Sequence, residues 1–278
     1  MAQGTRTRLV QLIHPDEGRR AGLIEDNELH LLATYRSIYD FALAAIETGW
    51  KLRDLLSSDL SGIVLDYGEV HSLKTAWRFL PAFDHPSEPG RCLVSALESE
   101  AGKAVWRYQG SGECLRGHGE PLAISNPSGL FAEIAAAYVI GESGVPRRLG
   151  LTGGIRGPRQ CAVGPELTTD AEFDRLEGSA DLFRQSDQVW SHELCSGTVP
   201  FASVLADVEA RHFETAHLRR RGDTHLHFFG AKLFGPTSFP DTAEGDEAII
   251  QLGGLGKPLR STAATAAPFT PPAVAVPL

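Results

Sequence analysis

The sequence predicts an α+β chain in which a small mixed unit precedes a larger, mostly β region. Three observations lead there. Up to Phe83, short apolar runs at strand period alternate with turn residues and then give way to helical spacing. A break follows at residues 80–90, where Pro81, Pro86 and Pro89 interrupt any regular element. Beyond it the apolar runs are short and bounded by Gly and Asp turns, the pattern of strands.

Residues 7–13 read as a strand, and Pro15-Asp16-Glu17-Gly18 turns the chain into a second at 20–24. Asp26-Asn27 makes another turn, and residues 29–32 continue the meander. Ser37 has the chemistry of a helix N-cap. Ile38, Phe41, Ala42, Ala45 and Ile46 keep helical spacing, and Gly49 closes the helix. A second short helix is expected at 52–56, completing a small α+β domain at 1–83. In the β region, 84–260, strands are expected at 91–95, 104–109, 134–140, 189–194, 224–230 and 248–252, with one helix at 198–208 capped by Thr198. The Pro/Ala-rich tail, 261–278, lacks either period and reads as disordered or loosely docked, or as an arm reaching over a neighbouring subunit.

The chain has 278 residues and a formal net charge of −9. Both nucleic acid and anionic membrane call for clustered Lys and Arg, so neither partner is expected. Cys92, Cys114, Cys161 and Cys195 are scattered with no CxxC spacing, which points to free thiols rather than a zinc site or a disulfide framework. No apolar run approaches the ~20 residues that span a bilayer, and the first residues lack a signal-peptide core. A cytoplasmic location is the expectation.

Chemistry can sit at three places. Glu133 is the acid at the mouth of the apolar strand 134–140, where folds put either a metal ligand or general base or simply a strand end that meets water. His118 and Glu120 lie in a Gly-rich loop, with His118 able to titrate near neutral pH or to serve as a locally hydrogen-bonded loop residue. His225 and His227 are two apart in a strand and share a face, with Leu226 and Phe228 on the other. Two imidazoles bind a metal only with a third ligand from elsewhere, and the alternative is the polar face of a sheet. The Gly-rich stretches at 152–154 and 253–256 do not open a helix after a strand, so they carry no phosphate-loop signal. Ser196 lacks a GxSxG elbow.

The stretches 8–20, Asp84-His85-Pro86 with Arg91-Cys92-Leu93-Val94-Ser95, 115–122, 133–150, 161–167 and 220–230 follow one another in an order that resembles the fumarylacetoacetate hydrolase superfamily, above all its 2-keto-3-deoxy-L-arabonate dehydratase-like branch. The resemblance covers most of the chain up to Arg260. It implies a small N-terminal α+β domain, a mixed β-roll and a homodimer. It also implies a magnesium ion on three carboxylates that stabilises an enolate while a C–C or C–O bond breaks. This sequence departs from that pattern. The first carboxylate position is Phe131 and only Glu133 remains of the pair; residues 151–157 hold no acid for the third. The catalytic lysine position falls near Gly157, the His-bearing segment after Ser95 is cut down to 96–103, and the Gly-Thr that meets substrate is Gly230-Ala231.

One carboxylate does not hold magnesium tightly. The expectation is therefore no metal, no cofactor and a repurposed enzyme doing acid/base chemistry on a small enolisable carbonyl or keto-acid substrate, by dehydration, isomerisation or cyclisation, in a biosynthetic pathway. His118, Glu120, Glu133, His225 and His227 are the candidates for proton transfer. Phe131, Arg156, Phe228, Gly230 and Lys232 are the candidates for substrate contact, Arg156 and Lys232 holding an anionic group. Burial beside Phe131 would favour the neutral form of Glu133. The alternatives are a non-catalytic ligand- or partner-binding homologue, and a magnesium-dependent sugar-acid dehydratase or C–C hydrolase with ligands rebuilt from His225, His227 or Glu120.

Overall fold

The computed structural model describes residues 6–101, 103–124, 129–170, 176–195, 201–229 and 237–265. The N-terminal meander forms as its turns dictate: β1 (Arg8–His14), β2 (Gly18–Glu25) and β3 (Glu28–Leu32) pair antiparallel in succession. The helix α1 (Ile38–Thr48) starts where Ser37 Oγ accepts the Asp40 N–H at 3.0 Å and stops at Gly49, whose φ of 71° suits a residue without a Cβ. Its face of Ile38, Phe41, Ala42 and Ala45 is buried. There follow α2 (Leu52–Ser58), β4 (Leu60–Asp66), α3 (Tyr67–His71) and the two-residue β5 (Arg78–Phe79).

The second part holds β6 (Cys92–Glu100), β7 (Lys103–Ser111), β8 (Leu115–Arg116), β9 (Leu122–Ile124), β10 (Leu130–Ile140), β11 (Pro146–Arg156), β12 (Cys161–Val163) and β13 (Leu167–Thr168). Then come β14 (Glu177–Arg184), β15 (Asp187–Cys195), α4 (Phe201–Phe213), β16 (Thr224–Phe228), β17 (Ser238–Phe239), β18 (Glu247–Leu252) and β19 (Leu259–Thr265). One large mixed sheet runs β4-β3-β2-β1-β13-β11-β10-β16-β6-β7, and a second of five strands runs β15-β14-β18-β19-β9. Few helices and mixed sheets make this the expected α+β class. The join between meander and central strands is β1 on β13, clamped by the buried Glu166, which accepts from Arg8, from the Tyr67 hydroxyl and from the Lys257 N–H. No helix among the described residues is long and apolar enough to cross a membrane.

β10 is covered on both faces. Leu130, Ala132, Ile134, Ala136, Tyr138 and Ile140 enter one core cluster, while Ala135, Ala137 and Val139 enter another. A strand buried on both sides is apolar throughout, which is why it was legible in the sequence. It starts at Leu130, four residues before the expected position, so Glu133 lies inside the strand rather than at its mouth.

Three further corrections have physical causes. The glycines at 150–154 belong to strand β11, which was not anticipated, and at Gly150 and Gly154 neighbouring strands leave no room for a side chain. A Cβ on Gly150 would lie 2.4 Å from the Thr168 carbonyl oxygen, and one on Gly154 would lie 2.6 Å from the Phe228 ring. Residues 259–265 form a strand that pairs with β18 and, in parallel, with β9, so the first residues of the expected tail, 261–265, belong to a sheet. β4 and β14 were not anticipated: β4 is an edge strand with little buried surface to pattern its sequence. Thr198 and the remainder of the tail, 266–278, lie outside the described residues.

Gly150→Ala forces backbone against backbone and is expected to cost about 1–3 kcal/mol. At Gly153 the nearest atoms to an added Cβ are 3.6 Å away, and Gly153→Ala is expected to stay within about 0.5 kcal/mol of the parent. Urea midpoints of the two variants check the contrast.

Candidate functional site

The antiparallel register of β10 on β11 sets Phe131 opposite Arg156 and Glu133 opposite Gly154, so Glu133 and Arg156 are diagonal neighbours on one face. Glu133 is 2% exposed. Its Oε1 accepts from Nε and Nη2 of Arg156, both at 2.8 Å. The guanidinium lies over the Phe131 ring, 4.7 Å from its centroid, and Nη1 is 3.5 Å from Glu98 Oε1 on β6. Arg156 is thus a cation between two carboxylates with an aromatic floor. Burial alone favours a neutral acid; a guanidinium in direct contact favours the carboxylate. The buried Glu133 thus has a counter-charge, Arg156, which the sequence reading had assigned to substrate.

Cys161 sits opposite Arg156 on β12 and hydrogen-bonds Cys114. That bond and burial push the Cys161 thiol well above the usual thiol range. An open cleft of about 490 Å³ lies against this corner, lined by Gln109, Glu113, Cys114, Arg159 and Gln160 among others. Phe228 shares this face but is fully buried against Gly154, as part of the core rather than a substrate contact. Gly230 and Lys232, with Ala231, lie outside the described residues.

The other candidates are elsewhere. His118 lies in the turn beside α3, where its ring packs 4.1 Å from that of His71. Its Nε2 is 2.9 Å from the His71 carbonyl oxygen and its Nδ1 accepts the Arg260 N–H at 3.3 Å. Those bonds require a neutral ring with its proton on Nε2. Burial, reinforced by His71, pulls its pKa down to about 3. His118 is therefore a structural residue and not an acid or base near neutral pH. Glu120 is exposed and accepts the Gly117 N–H at 2.5 Å, closing the same turn. A separate cleft of about 360 Å³ opens beside His71, His118, Glu247 and Arg260.

His225 and His227 do share a face, as expected, but it is the face opposite Glu133: they register with Tyr138 and Ala136, whereas Leu226 and Phe228 register with Ala137 and Ala135. Both are fully buried. The helix α4 brings a third imidazole, His212, whose Nε2 is 3.4 Å from His225 Nδ1. Burial lowers His212 to about 4 and His227 well below the usual range. Burial and then His212 lower His225 to about 3, weakly opposed by the Leu218 backbone. Burial thus favours the neutral form of all three rings. His212 was missed because nothing in the sequence says that α4 lies across β16.

Magnesium as the resemblance implies it does not fit the Glu133 face. Phe131 offers no ligand, β11 carries no acid, and both carboxylates at this face, Glu133 and Glu98, are turned to the Arg156 guanidinium.

Two consequences can be measured. Glu133→Ala strands a buried guanidinium and is expected to cost roughly 3–5 kcal/mol. Glu98→Ala removes two longer contacts, to Arg156 and to Arg107, from a half-exposed partner and is expected to cost under about 1 kcal/mol, both read by chemical denaturation. Because His118 is depressed in the folded state, the unfolded chain takes up its proton first, below about pH 6.5. Its share of stability is intact above that pH and is lost as pH falls toward the folded value. As pH falls from 6.5 to 5 the stability slope of His118→Gln is expected to become shallower than the parent's by a margin that grows toward about 1.4 kcal/mol per pH unit.

No protein-family model and no curated protein matches the sequence. Solved structures do match. A hexagonal crystal form of 2-keto-3-deoxyarabinonate dehydratase superposes with a TM-score of 0.66 at 14% identity, over 93% of this chain and 99% of that one. 2-Keto-3-deoxy-D-arabinonate dehydratase complexed with magnesium and 2,5-dioxopentanoate gives 0.65 at 14% identity, with the same coverage. 2-Hydroxyhepta-2,4-diene-1,7-dioate isomerase from Mycobacterium marinum gives 0.59 at 14% identity, over 93% and 98%. The fold is therefore the one the resemblance implied, that of the fumarylacetoacetate hydrolase superfamily.

Proposed function

We propose that the chain is an enzyme that deprotonates a small 2-oxo acid or related enolisable carbonyl compound at the Glu133–Arg156 face, with a guanidinium in the part played by a metal ion elsewhere in the fold. The observation that carries this reading is Arg156 itself, set between Glu133 and Glu98 over the Phe131 ring. The fold is shared with a dehydratase and an isomerase, and a dehydration or isomerisation next to a carbonyl can start by breaking a C–H bond there. The substrate carboxylate or carbonyl oxygen replaces Glu98 as the partner of Nη1, the longer of the Arg156 contacts. Glu133 takes the proton from the carbon beside the carbonyl, and the electron pair moves onto the carbonyl oxygen, where the guanidinium stabilises the enolate. Return of the proton to another carbon completes an isomerisation; loss of a β-hydroxyl completes a dehydration. The homodimer that the resemblance implies and the cytoplasmic location expected from the sequence go with this proposal.

One observation favours the alternative of a non-catalytic binding homologue: Glu133 and Arg156 are already engaged with each other. Solvent exchange separates the two readings. The parent protein in D₂O, without added metal, is expected to wash out protons beside the carbonyl of at least one member of a 2-oxo acid panel, followed by NMR. Glu133→Gln, which keeps the shape of the site, is expected to slow the exchange by about 10²–10⁴-fold. Exchange unchanged in that variant removes Glu133 as the base. A folded parent that exchanges none of the panel leaves the binding homologue.

A further inference from the structure

We propose that His212, His225 and His227 form a binding site for one divalent transition cation of the zinc class, joining α4 to β16 on the face of the sheet opposite Glu133. One potential ligand atom from each ring lies within 4.8 Å of the others. A tetrahedral ion with nitrogen bonds of 2.0–2.1 Å holds its ligands about 3.3 Å apart, and His212 Nε2 and His225 Nδ1 are already separated by 3.4 Å. The remaining approach is within the swing of a side chain. The second observation is independent of the distances. Both nitrogens of His227 are buried without a hydrogen-bond partner among the described residues, and an ion would satisfy one of them. Groups of this kind are costly and seldom tolerated in a core unless something satisfies them.

The donor set selects the ion. Three neutral imidazoles suit zinc, iron, copper or nickel and offer nothing to magnesium or calcium, which take oxygen ligands. The frame around the trio is fixed. Trp106 packs 4.5 Å from the His227 ring, while its Nε1–H donates to the Val208 carbonyl at 2.9 Å and ties α4 to β7. Tyr138 packs 4.6 Å from the same ring on another side, and its hydroxyl donates to Glu209 Oε1, one helical turn before His212, at 2.6 Å. These tethers hold the helix where its imidazole meets the strand pair. Three protein ligands leave the fourth position of a tetrahedral ion to water or another small ligand.

The competing description is a purely structural stack of imidazoles among Trp106, Tyr138 and Phe213. Direct metal measurement decides between them. Untagged protein, stripped of metal and titrated with Co²⁺, is expected to develop the visible absorption of a tetrahedral nitrogen site at about one equivalent per chain. Zn²⁺ is expected to quench that absorption and to raise the thermal midpoint. His212→Gln, on the helix, and His227→Gln, on the strand, are each expected to abolish the absorption and the midpoint shift. Folded parent that takes up neither ion overturns the proposal, as does uptake that persists in both variants. Should a variant fail to fold, the Co²⁺ spectrum of the parent decides alone. None of these readouts uses turnover, so failure here leaves the Glu133–Arg156 proposal standing, and the reverse holds.

Discussion

The pairing of β10 with β11 is the constraint from which the rest of the molecule follows. Its register lays Arg156 across from Phe131 and diagonal to Glu133, and so supplies a counter-charge for a carboxylate that burial alone would not tolerate. The same pairing needs glycine at 150 and 154, where a carbonyl oxygen and an aromatic ring approach closer than any Cβ allows. Fold and sequence composition meet in these two strands: the glycines let the layers close, and closure buries the Glu133–Arg156 ion pair.

Alternation then divides the functional groups. Because side chains on successive residues of β10 and β16 point to opposite faces, Glu133 and the pair His225/His227 cannot serve one reaction centre. One face carries a charged group held by its opposite; the other carries imidazoles that burial keeps neutral. The first arrangement suits an anionic intermediate and the second a soft cation. His118 and Glu120 belong to neither, serving to join the turn before β9 to α3 and β19.

Much of the fold was legible because it rests on local signals. Ser37 and Gly49 bound α1 as their chemistry requires, and the apolar strand at 134–140 stands out since both of its faces are buried. What was not legible depends on contacts far apart in sequence. β11 looks like a loop because its glycines answer to Thr168 and Phe228, not to their neighbours. β19 reads as tail because its partners are β9 and β18. In the site, Glu133, Phe131 and Arg156 were each singled out, but their mutual pairing is a matter of register, which composition does not report. The pair His225/His227 announced a shared face by its spacing; its third member is set by the docking of a helix and left no mark in the sequence.

The central proposal is that the Arg156 guanidinium takes, at the Glu133 face, the part that the resemblance gives to a magnesium ion. Calorimetric titration of Mg²⁺ into the purified protein tests it most directly, since a hard cation has no affinity for the histidine trio and so reports on the carboxylate face alone. The account predicts no saturable heat in the parent protein. Saturable binding near one ion per chain, lost in Glu133→Gln, would contradict it and would return the chain to metal-dependent chemistry at that carboxylate.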